Sequence, residues 1–191
     1  MRCFSCHKVS LKTFCDRCQT NLLKPTISRR MVGKMEVYSF FKYQNIEDLL
    51  LTKHTPQGYI LYRALASFTF KPFIEEFLKH DNREVYVVGI DESVKSGYSH
   101  VALLTSAMRR EGVKVEYASL LATNQVNYSG KSLAYRLKNP REFIYRGRKD
   151  IEVILVDDII TTGTTLKEAE DVLSKSGVTV LFSLTLADVK V

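Results

Sequence analysis

The second half of the chain alternates between two kinds of hydrophobic pattern. Val85-Tyr86-Val87-Val88-Gly89-Ile90 is a compact apolar run and predicts a buried strand. Val101, Leu104, Ala107 and Met108 then recur at helical spacing up to Gly112. Val113 to Tyr117 reads as a strand, and Ile151 to Val156 as the most β-branched strand of the chain. Leu166, Ala169, Val172 and Leu173 mark a helix that stops at Ser176-Gly177, and Val178 to Leu186 reads as a last strand. Strands alternating with helices argue βαβ units and a parallel sheet. Upstream, Met35 to Phe41 partly alternates as a strand does, and Ile46 to Lys53 reads as a short helix ending near Thr55-Pro56. Two further helices follow, one marked by Tyr59, Leu61, Tyr62, Leu65 and Phe68, the other by Phe73, Phe77 and Leu78. Residues 118–149 have no clear period, which makes them functional, mobile or partly helical.

Residues 1–34 lack large apolar residues at any steady period and are too few to fold on a hydrophobic core of their own. They are therefore set apart as a small N-terminal unit and linker, with residues 35–191 as the main domain. All four cysteines of the chain lie here: Cys3-x2-Cys6, eight residues, then Cys15-x2-Cys18. Each pair presents two thiolates from one tight turn, and two such turns close a tetrahedron of the kind Zn²⁺ prefers. The metal would supply the folding energy that the segment lacks. Four cysteines leave no open position, so the expected zinc is structural. His7 is a rival ligand, but beside Cys6 it reads as a surface residue. Two disulfides are the other reading. The N-terminus has no long apolar stretch of signal-peptide type, so a reducing cytoplasm is expected and disulfides are disfavoured.

The 191 residues are 45% hydrophobic and 26% charged, a globular mix that excludes disordered, collagen-like and fibrous classes. No apolar run approaches the ~18 residues of a membrane span. The net charge is +7, and residues 1–34 account for it, with Arg2, Lys8, Lys12, Arg17, Lys24, Arg29, Arg30 and Lys34 against Asp16 alone. The rest is balanced overall but contains a second basic stretch: Lys131, Arg136, Lys138, Arg141, Arg146, Arg148 and Lys149 against Glu142. Such clusters fit a polyanionic or phosphorylated partner, and they fit a solvated face as well.

The most informative stretch runs from Val153 to Thr165, VILVDDIITTGTT. A hydrophobic strand ends in Asp157 and Asp158, a small-residue turn follows, and then a helix. In an open parallel sheet ligands bind beyond the carboxyl ends of strands. Threonine hydroxyls, a glycine that lets backbone approach and a helix N-terminus together cradle a phosphate. Two adjacent carboxylates accept hydrogen bonds from vicinal hydroxyls or hold Mg²⁺ through water. Phosphate and diol at this spacing describe a ribose 5-phosphate.

This stretch resembles the phosphoribosyl-diphosphate (PRPP) loop of type I phosphoribosyltransferases. The resemblance implies that Asp157 and Asp158 meet the ribose 2′ and 3′ hydroxyls, that Thr161, Thr162, Gly163, Thr164 and Thr165 wrap the 5-phosphate, and that Mg²⁺ accompanies PRPP. Together with the cysteine pairs it is similar to the ComF family, competence-associated phosphoribosyltransferase-like proteins of bacteria. Lys53 sits where that family has a lysine. Lys95-Ser96-Gly97-Tyr98-Ser99-His100 lies where it usually has R-G-F-N-Q, and Arg136-Leu137-Lys138-Asn139 with Phe143 resembles its R-x-x-N…F stretch. Ser99 and His100 depart from that pattern in the region that should hold the pyrophosphate end; His100 reads as a core or surface histidine, not a catalytic one. Some purine-salvage phosphoribosyltransferases place a general base where this chain has Thr161, a role threonine cannot fill.

Tyr128, Tyr135, Phe143 and Tyr145 interleave with the second basic stretch. Aromatic faces stack bases while cations track phosphates, so Lys131, Tyr135, Arg136, Lys138, Arg141, Arg146, Arg148 and Lys149 form a candidate surface for single-stranded DNA. In phosphoribosyltransferases the same region is often a lid over pyrophosphate, and packing of the aromatics into the core is a third use. The expectation is an α/β, type I phosphoribosyltransferase-like parallel sheet flanked by helices, with a small N-terminal four-cysteine zinc knuckle. From the resemblance its role is natural transformation, the uptake of incoming DNA into the cytoplasm. The membrane-associated uptake machinery is a candidate partner, and the inner-membrane surface a candidate place of work. An active Mg-dependent enzyme with an unknown acceptor and a PRPP-sensing regulatory module are the alternatives.

Overall fold

The computed structural model describes residues 2–81, 83–91, 97–124 and 133–190, with residues 133, 136 and 137 described by their backbone alone. A short helix α1 (Asp16–Asn21) belongs to the cysteine segment. Then come strands β1 (Ser28–Val32) and β2 (Met35–Lys42), helix α2 (Tyr43–Leu50) with a 3₁₀ turn (Leu51–His54), and helices α3 (Pro56–Phe68) and α4 (Phe70–His80). The remainder runs β3 (Val85–Asp91), α5 (His100–Ser106), β4 (Val113–Ala122), α6 (Leu133–Lys138), β5 (Phe143–Tyr145), β6 (Glu152–Ile160), α7 (Thr164–Lys175) and β7 (Thr179–Asp188).

One seven-stranded sheet carries these elements in the order β1-β2-β7-β6-β3-β4-β5. The five inner strands are parallel, and β1 and β5 close the two edges antiparallel. Parallel strands are covered on both faces, which is why β3 is buried along its whole length. Alternation along β6 sends Ile154 and Val156 into one core layer and Val153 and Leu155 into the other. The first layer also holds Leu61 and Leu65 of α3, Phe70 of α4 and Val101 of α5; the second holds Leu166, Ala169 and Leu173 of α7. Helices therefore flank both faces, as the alternating pattern predicts.

Three stretches differ from the expectation. The strand read as Ile151–Val156 runs on through the acid pair to Ile160, because Asp157, Ile159 and Ile160 keep their ladder partners Thr185, Ala187 and Asp188 on β7. The aperiodic 118–149 opens with the last residues of β4 and contains α6 and β5. The segment read as a linker contains β1, joined to β2 through Gly33-Lys34, so a boundary at residue 34 falls inside a hairpin. Gly33 has φ +61°, which that two-residue turn requires. The cysteine segment packs onto the body: Cys3, Phe14, Cys18 and Leu23 share the α3–α4 core layer, and the Phe14 ring meets Phe68 edge-on at 6.0 Å. Among the described residues no helix is long and apolar enough to cross a membrane.

Candidate functional site

The C-terminal edge of the sheet places carboxylates at the ends of three neighbouring strands: Asp188 on β7, Asp157 and Asp158 on β6, and Asp91 on β3. Alternation turns the two β6 acids to opposite faces. Asp158 is buried against the α3–α5 side, where its Oδ2 lies 2.9 Å from Lys53 Nζ and 3.3 Å from His100 Nε2. Burial alone would raise this carboxyl; the Lys53 and His100 charges and hydrogen bonds reverse the sign and hold it well below the ordinary carboxylate range. Asp157 is half-buried, and its Oδ1 accepts the backbone N–H of Asp158 at 2.8 Å.

Sequence reasoning singled out Lys53 only through the family pattern and read His100 as a core or surface histidine. Both belong to this cluster. His100 opens α5 behind a Ser99 cap, and the Ser99 hydroxyl donates to Asp91 Oδ1 at 2.7 Å. Asp91 is raised by burial, against its bonds from Ser99 and the Ala118 N–H. The Tyr98 hydroxyl donates to the carbonyls of Lys53 and Thr55 at 2.8 and 3.0 Å and so fixes the turn that carries the lysine. Lys95 and Ser96 lie outside the described residues.

Thr161 to Gly163 turn the chain from β6 into α7. Gly163 has φ +85°, and a Cβ built there would stand 2.7 Å from Val32 Cγ2 of β1, so both backbone and packing demand glycine. Thr162 Oγ1 and Thr164 Oγ1 are 2.8 Å apart, and Gly163 offers no side-chain cap to α7. The first-turn N–H groups and the threonine hydroxyls are thus presented together, a geometry suited to a phosphate. A cleft of about 430 Å³ opens beside the turn, lined by Val32, Pro140, Thr162, Gly163, Thr164 and Lys167 among others. It does not reach the acid pair.

Arg30, read as part of a basic surface or a solvated linker, is neither. Its side chain is 17% exposed; Nε lies 3.0 Å from Asp188 Oδ2, and Nη2 donates to the Thr161 carbonyl at 2.7 Å. No local pattern marks Arg30 or Asp188, because Arg30 meets Thr161 across 131 residues of sequence and meets Asp188 from further still.

The four cysteine sulfurs come together, all within 4.8 Å of one another. Cys6 and Cys15 sulfurs are 3.6 Å apart, and the Cys15 N–H donates to Cys3 Sγ at 3.3 Å. Burial pushes the Cys3 thiol up, but backbone N–H bonds led by that of Cys15 outweigh it and bring it down to about 6. Burial of Cys18 prevails and raises it to about 12. A tetrahedron with metal–sulfur bonds of ~2.3 Å has edges of about 3.8 Å, so this cluster could bind zinc with little adjustment. His7 is exposed and is not among the clustered ligands.

The second basic stretch divides in space. Lys131 and the Arg136 side chain lie outside the described residues, while Tyr135 and Lys138 are exposed on α6. The stretch returns to the sheet where the N–H groups of Arg141 and Glu142 donate to the Glu168 carboxylate of α7, at 3.1 and 2.7 Å. That anchor is at the C-terminal edge, beside the turn from Thr161 to Gly163. From there β5 runs back along β4: Phe143 opposite Ala122, Tyr145 opposite Leu120, then the Arg146 N–H on the Ser119 carbonyl. Arg148 pairs with Glu116 at 3.3 Å and lies 5.7 Å over the Tyr86 ring, and Asp150 reaches Gly177 beyond the far end of α7. Arg146, Arg148 and Lys149 therefore descend the β4 edge away from Tyr135, Lys138 and Arg141.

No family model matches this chain. Among curated proteins it is similar to Competence protein ComFC of Streptococcus pneumoniae (strain ATCC BAA-255 / R6), with 26% identity over 180 residues that cover 92% of this chain and 75% of that one. The chain is ComF-like. Its neighbours among solved structures include phosphoribosyltransferases. One is a hypoxanthine phosphoribosyltransferase from Staphylococcus aureus, 18% identical over 64% of this chain and 62% of that chain, TM-score 0.42. Another is adenine phosphoribosyltransferase from Saccharomyces cerevisiae, 17% identical over 85% of this chain and 83% of that chain, TM-score 0.43.

Proposed function

We propose that this ComF-like chain binds PRPP at the C-terminal edge of β6 and handles single-stranded DNA during natural transformation, on the cytoplasmic side of the membrane. The observation that carries the ligand reading is the threonine-glycine turn, which presents α7's first-turn N–H groups and two hydroxyls directly after Asp157 and Asp158. The turn would take the 5-phosphate and Asp157 the ribose hydroxyls. Asp158 already carries Lys53 and His100, so its share in ligand binding is to hold Lys53 at the rim of the site. Magnesium would arrive with PRPP. The carboxylate of Asp157 and the threonine hydroxyls are oxygen donors of the kind that ion takes, and Asp157 is the carboxylate we assign to it. The competence role rests on the likeness to ComFC.

Structural zinc held by Cys3, Cys6, Cys15 and Cys18 completes the reading. Soft thiolates in fourfold array leave no open coordination position, so the metal would serve folding. Cys3→Ser and Cys15→Ser should lose the metal and loosen residues 1–34. Elemental analysis should find one zinc per wild-type chain.

The test is titration calorimetry of the zinc-loaded chain with PRPP and Mg²⁺, run beside fluorescence anisotropy with labelled single-stranded oligonucleotides. Binding of both supports the proposal. PRPP binding without DNA binding, accompanied by pyrophosphate release when a nucleobase or amine is added, would replace it with the enzyme reading.

A further inference from the structure

We infer that Arg30 of β1 is a positioning residue for the phosphate turn, and that the edge hairpin acts as a brace which sets that turn's affinity for a sugar 5-phosphate. The inference rests on the proposed reading of the turn as a phosphate site. Two contacts from one short strand carry it. Arg30 Nη2 donates to the carbonyl of Thr161, the first residue of the turn, at 2.7 Å, while its Nε stands 3.0 Å from the buried Asp188 carboxylate. Two residues further along the same strand, Val32 fills the space beneath Gly163, so close that a Cβ there would stand 2.7 Å from it.

These contacts act on both sides of the turn. Arg30 fixes the direction of the Thr161 peptide, and Val32 supports the residue that caps α7. Asp188 holds the guanidinium in place, and the chain after it is tied back to the same strand end: the Val189 N–H donates to the Ile160 carbonyl at 3.1 Å and the Lys190 N–H to Asp188 Oδ1 at 2.8 Å. The planar guanidinium keeps Nη2 aimed at the carbonyl while its charge stands beside the carboxylate, with which Nε forms an ion pair without hydrogen-bond geometry; an ammonium is a point charge without that fixed direction. Phosphate recognition by backbone N–H groups depends on their direction, so a turn held on two sides keeps its donors aligned before the ligand arrives. Arg30 touches no ligand in this scheme; it acts through Thr161.

The test compares wild type, Arg30→Lys, Arg30→Met with Asp188→Asn, and Asp157→Asn, each as the zinc-loaded full chain. Calorimetry would use ribose 5-phosphate, PRPP and pyrophosphate as probes. Arg30→Lys keeps a charge for Asp188, so its thermal unfolding midpoint should stay close to wild type. Its affinity for ribose 5-phosphate and for PRPP should fall about tenfold alike, and its affinity for pyrophosphate should be unchanged. The paired variant avoids stranding a buried charge and should show a loss at least as large. Equal affinities in wild type, Arg30→Lys and the paired variant would overturn the brace while leaving the phosphate reading intact. A loss that extends equally to pyrophosphate would also overturn it, since a general structural defect would then be the cause. If wild type binds neither sugar phosphate, or Asp157→Asn binds PRPP as wild type does, the underlying reading fails.

Discussion

Asp158 and Arg148 show two ways in which this chain uses charge. The Asp158 side chain is 8% exposed and is met by Lys53 and His100, drawn from two different elements. The Arg148 side chain is 62% exposed, and its partners are Glu116 on β4 and the Tyr86 ring on β3. Around the phosphate turn, sequence-distant groups converge on a few atoms. Along 138–149, sequence-adjacent cations diverge: Arg141 is tied by its backbone to Glu168 near α7's beginning, while Arg146, Arg148 and Lys149 run down β4. A charge cluster in sequence is therefore a weak guide to a patch in space, whereas a strand-turn-helix motif fixes its own geometry. Burial also decides energy. Paired charges shielded from water lose much when one partner is removed, and exposed pairs lose little.

The largest expected effect follows from Asp158→Ala. It leaves Lys53 and His100 without their shared carboxylate, and breaking a buried pair costs roughly 3–5 kcal/mol. Lys53 keeps 27% side-chain exposure, so the lower end, about 3 kcal/mol, is the expectation. Urea unfolding at neutral pH measures it. The sign with pH is fixed as well. A carboxyl depressed in the folded state stabilises fully above its unfolded value of about 4 and loses that contribution as pH falls through the lower folded value. Wild type and variant should therefore converge only below about pH 4.

Next in size is the ligand side of the same pair. Asp157→Asn keeps an oxygen for the Asp158 N–H but removes the charge we propose for the ribose hydroxyls. Hydrogen bonds to charged groups contribute about 1.5–3 kcal/mol, so PRPP affinity should drop about tenfold to a hundredfold. Stability should change much less than in Asp158→Ala. Calorimetry and urea unfolding on the one protein would separate the two roles, and identical profiles for the two acids would break the comparison.

What the sequence disclosed follows the same division. The inner strands and the helices over them were legible because burial imprints a period on the residues themselves. The cysteine cluster was legible because its ligands lie within sixteen residues, from Cys3 to Cys18, and each pair occupies one turn. The acid pair and the threonines could be read as chemistry because β6, turn and α7 are contiguous. What supports them could not. Arg30, Asp91 and Asp188 are polar residues at strand positions, and nothing local distinguishes a buried carboxylate at a strand end from a solvated one. β1 was missed because Arg29 and Arg30 interrupt its apolar signal. It forms because Gly33 permits the turn and β2 offers a free edge. The spread of 138–149 over two ends of the sheet depends on the antiparallel β5, only three residues long.

Charge removal in the two halves of the basic segment should give smaller, separable changes. Each cation at a phosphate of single-stranded DNA contributes about −0.7 to the slope of log affinity against log salt. Lys138→Ala with Arg141→Ala and Arg146→Ala with Lys149→Ala should not flatten that slope equally, because a strand following one end of the sheet meets only one group. Tyr135→Ala should instead weaken binding with little change in slope, since stacking releases no counterions. Equal flattening by the two pairs would show that the strand wraps the β4 edge and joins what the fold separates.

Arg148→Ala should have the smallest effect on folding. Its Glu116 pair is solvent-screened, and such pairs contribute about 0–1 kcal/mol. The contact with Tyr86 adds about 0.5 kcal/mol at an exposed site. Urea unfolding should therefore show less than about 1 kcal/mol of change, against about 3 kcal/mol for Asp158→Ala. Its DNA effect should also trail that of Arg146→Ala, because the Glu116 carboxylate already neutralises part of its charge and competes with any phosphate. Removing that competitor sharpens the test. Glu116→Gln should raise DNA affinity at low salt and steepen the slope if Arg148 lies on the DNA path, and should leave both unchanged if the strand keeps to the Tyr135 side. A stability loss from Arg148→Ala as large as that from Asp158→Ala would mean that exposure does not separate the two regions.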